Sequence, residues 1–197
     1  MHDETIAPEG RTRGASTRQR ILDAANELFY NHGIRATSAD RIIEQVGITK
    51  VTFYRHFRAK SDLVVSYLEQ QSAAEQAWMT STVHDGDPLS TARTIAAGIG
   101  AASCSPGFRG CAFINAAAEY PDPDDPVRVA VDTHRGWMRD FFAGIAEQAG
   151  ARDVGSVANQ LMILRDGAMV NGYLGDSPAV AGSLEAAYVS ILGDGRA

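Results

Sequence analysis

The stretch TSADRIIEQVGITKVTFYRHFRAK, residues 37–60, decides the fold, because it predicts two short helices joined by a tight turn. In the first helix, Ile42 and Val46 have the i, i+4 spacing of a buried face. Gly47 supplies a residue with an unrestricted φ for the turn, and Thr49 is a suitable N-cap for the second helix. The stretch is therefore predicted to be a helix-turn-helix.

The second predicted helix has one inward and one outward face. Phe53 and Phe57 are separated by one helical turn, so both are predicted to be buried. At about 100° per residue, Val51 and Arg55 lie roughly opposite Phe53. This outward face offers cations and hydroxyls to phosphates, an arginine to guanine and a methyl-bearing side chain to thymine. We therefore predict that this helix enters the major groove of double-stranded DNA.

Charge is distributed unevenly along the 197 residues. The whole chain has a net charge of −6, yet residues 11–60 contain ten basic and four acidic side chains. Residues 61–197 contain eight basic and seventeen acidic side chains. This division predicts an N-terminal module for a polyanion and a C-terminal body with a different task.

Several classes of protein are disfavoured by the composition. No run of about 18 apolar residues exists and the N-terminus lacks a signal-peptide core, so we expect a cytoplasmic protein without a membrane partner. No Ser/His/Asp arrangement, HExxH motif or phosphate loop is present, so we predict no enzyme, no cofactor and no metal site. The two cysteines, Cys104 and Cys111, are too few for a disulfide scaffold and are expected to be free thiols.

Helical periodicity extends through the rest of the chain without a convincing strand pattern, so the predicted fold class is all-α. Residues 1–15 are predicted to be a flexible arm, in which Arg11 and Arg13 either contact DNA or remain solvated. Ser16 or Thr17 is the predicted cap of the first helix. Further starts are predicted by four capping or first-turn residues: Ser61, Pro88, Asp125 and Asp153.

The segment Ser16–Leu68 resembles the DNA-binding domain of the tetracycline-repressor (TetR) family of transcriptional regulators. The resemblance lies in RILDAANELFYNHGIRATSADRI, in VGITKVTFYRHF and in the continuation Lys60-Ser61-Asp62-Leu63. The later run RGCAFINAAAEYPDPDDPVR is also similar to many members. The resemblance implies a helix-turn-helix domain over residues 16–60 and a helical ligand-binding and dimerisation domain over residues 61–197.

This likeness also implies a function. It indicates a regulator, in most cases a repressor, that binds a palindromic operator as a homodimer and is released by a small molecule. Two heads in adjacent grooves require half-sites one or more helical turns apart. Two alternatives remain open: a thiol redox-sensing regulator that uses Cys104 and Cys111, and an enzyme in the helical body.

The resemblance assigns a role in DNA binding to individual positions. The side chains expected to face base edges are Lys50, Val51, Thr52 and Arg55. Those expected to contact phosphates are Ser38, Thr49, Tyr54, His56 and Lys60, with Arg41 as a further contributor. The operator sequence does not follow, because members commonly vary at Lys50 and Val51.

Ten side chains of the body are candidates to line an effector pocket, and the apolar ones among them are alternatively core residues. They are Trp78, Cys111, Phe113, Asn115, Glu119, Trp137, Phe141, Met162, Asp166 and Met169. Asn115 either binds a ligand or caps a turn. Asp166 either binds a ligand or pairs with Arg139 or Arg165, because burial without a partner costs roughly 1–3 kcal/mol. The effector is predicted to be largely apolar.

The last two predicted helices carry apolar residues that suit either a dimer interface or an internal core. They are Val157, Leu161, Leu164, Ala168, Leu184, Ala187, Tyr188 and Ile191.

Overall fold

The computed structural model describes residues 9–175 and 177–194, with the side chains of residues 17–175 and 177–193, and every regular element in those ranges is a helix. The predicted all-α fold is confirmed. The helices are α1 (Glu9–His32), α2 (Ala39–Val46), α3 (Lys50–His56), α4 (Lys60–Ser81), α5 (Pro88–Ser103), α6 (Ala112–Glu119), α7 (Pro126–Gln148), α8 (Val154–Leu174) and α9 (Ser177–Asp194). None of these helices is long and apolar enough to cross a membrane.

Tertiary contacts divide the chain into two compact units, one up to Tyr67 and one from Leu68. We call the first unit the head and the second the body. The division falls within α4, whose first residue, Lys60, was the predicted domain boundary. One continuous helix therefore contributes residues to both units.

Three residues cap the short helices of the head, and two of them, Gly47 and Thr49, were predicted from the sequence. The Ser38 hydroxyl accepts a hydrogen bond from the Arg41 N–H at 3.1 Å and caps α2. Gly47 ends α2 with a φ of +70°, a conformation that favours glycine. The Thr49 hydroxyl accepts from the Thr52 N–H at 3.1 Å and caps α3. Two hydroxyls and one glycine therefore set the geometry of the helix-turn-helix.

Two predicted helix starts are wrong. The first helix begins at Glu9 rather than after Ser16 or Thr17. Serine and threonine cost at most about 0.7 kcal/mol relative to alanine inside a helix, so neither residue forces a helix to start there. Residues 1–8 of the predicted arm lie outside the described residues, as do the side chains of Arg11 and Arg13.

The fourth helix likewise starts before its predicted cap, Ser61. It begins at Lys60, and Asp62 Oδ2 accepts a hydrogen bond from the Ala59 N–H at 3.1 Å. A carboxylate in the first turn that reaches back to the preceding N–H is half of a capping box. Asp62, rather than Ser61, therefore supplies the side-chain contact that satisfies a backbone N–H at this helix start.

The body is built on two close helix pairs, α5 with α9 and α7 with α8. Gly100 on α5 allows α9 to pack closely against it, because a Cβ at Gly100 would lie 2.3 Å from the Ala181 Cβ. Eight apolar residues of the last two predicted helices were expected to form either a dimer interface or an internal core. Five of them are buried in the core of the body: Val157, Leu161, Ala168, Leu184 and Tyr188. A dimer interface on α8 and α9 would therefore need other side chains.

Candidate nucleic-acid interface and ligand cleft

The two predicted faces of α3 are present. Phe53 is fully buried, and Phe57, just after the helix, is 2% exposed. On the opposite side Val51 is 74% exposed, and Lys50 and Arg55 are also exposed. The side chains predicted to read bases thus lie on the solvent side of a helix that is anchored by aromatic rings.

Contacts within the head fix the orientation of α3. The rings of Phe53 and Phe57 have centroids 6.2 Å apart, and the Tyr54 ring meets Phe53 edge-on at 5.2 Å. The Arg18 guanidinium lies 4.9 Å from the Phe57 ring centroid. The Arg20 guanidinium donates to the Val46 carbonyl at the end of α2. These contacts hold α3 in place and do not involve Val51 or Arg55 on its outward face.

Two of the cations assigned to DNA make contacts within the head. Lys50 Nζ on α3 lies 3.0 Å from Asp40 Oδ1 on α2, and hydrogen bonding and charge attraction from Asp40 raise the pKa of Lys50. Lys60 Nζ donates to the Ile34 carbonyl at 2.6 Å and lies 5.9 Å from the Phe29 ring centroid. Lys60 therefore stabilises the connection between α1 and α2, which is a role separate from its predicted phosphate contact.

A cleft of about 530 Å³ opens between α6, α7 and α8 of the body. Its apolar lining consists of Phe113, Ile114, Ala117, Val131 and Val170. Its remaining lining consists of Arg128, Asp132, Arg135, Asp166, Gly167 and Asn171. The cleft thus combines an apolar floor with four charged side chains.

The charges of the cleft are paired. Arg128 Nε lies 3.1 Å from Asp132 Oδ1 one turn along α7. An Arg135 terminal nitrogen donates to Asp166 Oδ2 at 2.8 Å, and Arg165 donates to Asp166 Oδ1 at 3.2 Å. Of the partners predicted for Asp166, Arg165 is therefore confirmed, and Arg135 takes the place of Arg139.

Behind the cleft lies a buried polar cluster. Arg165, 3% exposed, pairs with Glu75 of α4. The ring of His134 stacks on Phe113 with centroids 3.7 Å apart, and its Nδ1 lies 2.9 Å from the Ser72 hydroxyl. Its Nε2 lies 3.2 Å from Glu75 Oε2 but lacks the alignment of a hydrogen bond. The cluster thus joins α4, α7 and α8.

Opposing effects act on the charges of this cluster. Burial of Glu75 disfavours its charged form, but His134 and Arg165 outweigh that effect and hold the Glu75 pKa below its usual value. Burial would lower the pKa of Arg165, but Cys111, Glu75 and Asp166 raise it. Both side chains therefore remain charged near neutral pH.

Only two of the ten predicted pocket residues, Phe113 and Asp166, line the cleft. Asn115 is exposed and its amide donates to the Arg109 carbonyl at 3.0 Å, so it caps a turn. Cys111 and Met162 are buried, Trp137, Phe141 and Met169 pack against the body core, and Glu119 is half-buried. The Trp78 ring packs directly against Gly98, where an added Cβ would lie 2.3 Å from the ring.

The polar wall on α7 was not predicted from the sequence. Arg128, Asp132 and Arg135 recur with helical spacing beside Val131, which puts them on one face. A charged face of this kind is typical of a solvated helix surface, so the pattern alone did not indicate a cleft. The partner wall on α8 is distant in sequence and becomes a neighbour only through packing.

Comparison with known proteins supports the interpretation of the head. A family model described as "Bacterial regulatory proteins, tetR family" matches residues 21–67. The crystal structure of SCO4454, a TetR-family transcriptional regulator from Streptomyces coelicolor, is 36% identical with a TM-score of 0.87. That likeness covers 93% of this chain and 97% of SCO4454, so it includes both head and body.

Curated relatives match over shorter stretches. The HTH-type transcriptional regulator AcrR of Shigella flexneri is 35% identical over 92 residues, which are 46% of this chain and 43% of AcrR. The uncharacterized HTH-type regulator YvkB of Bacillus subtilis is 36% identical over 69 residues, 35% of this chain and 36% of YvkB. The chain thus spans less than half the length of these relatives. All three similar proteins are described as transcriptional regulators, a class that is generally not enzymatic.

Proposed function

Because the chain belongs to the TetR family of DNA-binding transcriptional regulators, we propose that it is a ligand-responsive repressor that binds a palindromic operator as a homodimer. The observation that carries this proposal is the outward face of α3, where the side chains of Val51 and Arg55 are exposed to solvent. In this proposal Lys50, Val51, Thr52 and Arg55 face base edges. The phosphate contacts come from Ser38, Arg41, Thr49, Tyr54, His56 and Lys60.

The proposed dimer uses the solvent faces of α8 and α9. On α8 the exposed apolar residues Ile163, Val170 and Leu174 are 70%, 44% and 74% exposed. On α9 the exposed face carries small residues, including Gly182 and Ala186, which allow a neighbouring helix to approach closely. Exposed apolar side chains grouped on one helix are typical of a surface that binds another protein chain.

The proposed effector binds in the cleft between α6, α7 and α8. Its apolar body would lie on Phe113, Ile114 and Val170, and its polar end would meet the guanidinium groups of Arg128 and Arg135. A guanidinium carries five N–H donors, more than a single carboxylate occupies, so each arginine can also hold an acceptor group of a ligand. The effector is therefore an amphiphile with a carboxylate or similar acceptor end, more polar than the sequence predicted.

A chain of charge contacts leads from this cleft to α4. Arg135 in the cleft pairs with Asp166, Asp166 pairs with Arg165, and Arg165 pairs with Glu75 of α4. A ligand that competes for Arg135 would change the balance of contacts on Asp166 and Arg165. Since α4 also contributes Lys60 to the head, this route would let the cleft act on DNA binding.

The test is to sequence genomic fragments retained by the purified protein and to measure its mass in solution. We expect enrichment of a palindromic motif and a sedimentation coefficient of a dimer. Lys60→Ala should reduce the slope of log affinity against log salt by about 0.9, because one phosphate contact is lost. A monomer that shows no preference for any fragment over random duplex would contradict the proposal.

The thiol-sensing alternative has one specific observation in its favour, because Cys111 lies close enough to Arg165 to raise the pKa of that side chain. Cys111 is nevertheless buried, while Cys104 is exposed. The test compares oxidant response of operator binding in the natural protein and in Cys111→Ser. Loss of that response in Cys111→Ser would favour thiol sensing over ligand binding, and an equal loss in Cys104→Ser would assign the response to the two cysteines together.

A further inference from the structure

We infer that the cleft between α6, α7 and α8 is only half of a binding site, and that a second copy of this chain completes it. The inference rests on the proposed homodimer. It goes further by placing the effector between two protomers rather than inside one.

The α8 wall of the cleft coincides with the exposed apolar stripe of that helix. Ile163, Gly167, Val170 and Leu174 are spaced i, i+4, i+7 and i+11 and so lie on one face. Gly167 and Val170 also line the cleft, together with Asp166 and Asn171 on either side of them. The cleft is therefore centred on the stripe, and a helix seated on the stripe would pass over the cleft.

The apolar part of the stripe is longer than the cleft. Ile163 and Leu174 do not line it, yet each is at least 70% exposed, so a ligand bound in the cleft alone would leave them in water. A second protomer would cover these two residues and the cleft between them. The exposed ends of the stripe thus favour a macromolecular partner, with the small molecule enclosed beneath it.

The charges around the cleft suit pairing with an identical surface. Arg128, Asp132 and Arg135 alternate in sign along α7, and Asp166 faces them from α8. A two-fold axis brings the same patch of both subunits together, so each patch must complement itself. A patch with balanced, alternating charges meets this requirement, whereas a patch of one sign would repel its copy.

A shared cleft has a consequence for regulation. If each protomer supplies part of the wall, the occupied site depends on how the two copies are arranged. Effector binding and dimer geometry are then linked, and each affects the other by the same factor. The proposed repressor would therefore sense its ligand at the surface that sets the spacing of its two heads.

The experiment measures side-chain accessibility by hydroxyl-radical footprinting on the full chain and on a monomeric variant, Ile163→Glu. Sedimentation establishes the dimer and the monomer, and circular dichroism establishes that the variant is folded. In the dimer we expect several-fold lower oxidation of Ile114 on the α6 wall, as well as of Leu174 on the stripe. Tyr54 in the head is the internal control, and its oxidation should be equal in both proteins.

Ile114 separates the two proposals. Protection of Leu174 with no change at Ile114 would overturn the shared cleft and leave the homodimer intact. A monomeric natural protein would overturn both. If Ile163→Glu does not fold, Leu174→Glu replaces it and the accessibility of Ile114 is compared in the same way, with equal oxidation in monomer and dimer overturning the inference.

Discussion

The guanidinium of Arg165 on α8, 3% exposed, is paired with the carboxylate of Glu75 on α4. This pair is part of the body, but the helix that carries Glu75 begins at Lys60 in the head. A buried charge is costly unless it is paired, so the contact restricts where α4 can lie relative to α8. The pair is thus both a stability determinant and a candidate control point.

Glu75→Gln should destabilise the body. Removing one partner of a buried ion pair costs roughly 3–5 kcal/mol. Glu75 is 20% exposed and Arg165 keeps Asp166 as a carboxylate partner, so we expect a smaller loss of about 2–4 kcal/mol. Urea denaturation followed by circular dichroism measures the change. The matched control is Glu69→Gln, an exposed carboxylate on the same helix, for which the free energy of unfolding should stay within about 0.5 kcal/mol.

The same carboxylate predicts a pH dependence of stability. The Glu75 pKa is lower in the folded protein than its ordinary value of 4.5, so the folded state favours the charged form. This contribution is fully present above pH 4.5 and is lost as the pH falls through the folded-state pKa. Unfolding free energy measured between pH 7 and about 3 should therefore fall less steeply in Glu75→Gln than in the natural protein. Equal slopes would show that Glu75 is not the responsible group.

The head could be predicted from the sequence because its signals are local. Thr49 caps α3, Gly47 ends α2 and Phe53 is buried, and each of these follows from residues within a few positions. The fold class follows for the same reason, since helical periodicity is a short-range pattern. Two helix starts were predicted wrongly because the signal was a weaker preference; at the start of α4, for example, Asp62 rather than Ser61 makes the side-chain contact to the backbone.

The cleft could not be predicted because its walls are distant in sequence. Phe113 and Asp166 were singled out for their chemistry, but nothing local places them within one cavity. The polar wall consists of Arg128, Asp132 and Arg135 on α7, and their spacing is typical of a solvated helix surface. Only the packing of α7 against α8 brings Arg135 to Asp166 across 31 positions of sequence.

Asp40→Asn should strengthen DNA binding. Asp40 holds Lys50 Nζ at 3.0 Å and adds a negative charge next to the recognition face. Removing that charge reduces repulsion from phosphates and releases Lys50 to contact DNA, so the salt slope should become steeper by up to about one unit. Fluorescence anisotropy with a labelled operator at several salt concentrations measures both effects. Asp140→Asn, an exposed change in the body, should alter neither.

Arg55→Ala should relax base preference at one position of each half-site. An arginine that reads guanine through two hydrogen bonds contributes about 1–3 kcal/mol of discrimination. Affinity for the operator should fall by that amount, while affinity for random duplex should change much less. Arg152→Ala, which removes an exposed arginine before α8, is the control and should leave both affinities unchanged. Uniform weakening on all duplexes would instead assign Arg55 to a phosphate.

Gly182→Ala tests whether the small-residue face of α9 meets a partner. In a single chain Gly182 is exposed and nothing lies within 4 Å of the position of an added Cβ. On a free surface the alanine should stabilise the helix by about 0.8–1 kcal/mol, because glycine loses more backbone entropy. In a close helix–helix interface the added methyl group would meet the partner, so the dimer dissociation constant should rise. Gly144→Ala on α7, also without neighbours within 4 Å, is the control and should raise the melting temperature without changing dimerisation. Stabilisation by both substitutions with an unchanged dissociation constant would place the interface away from this face of α9.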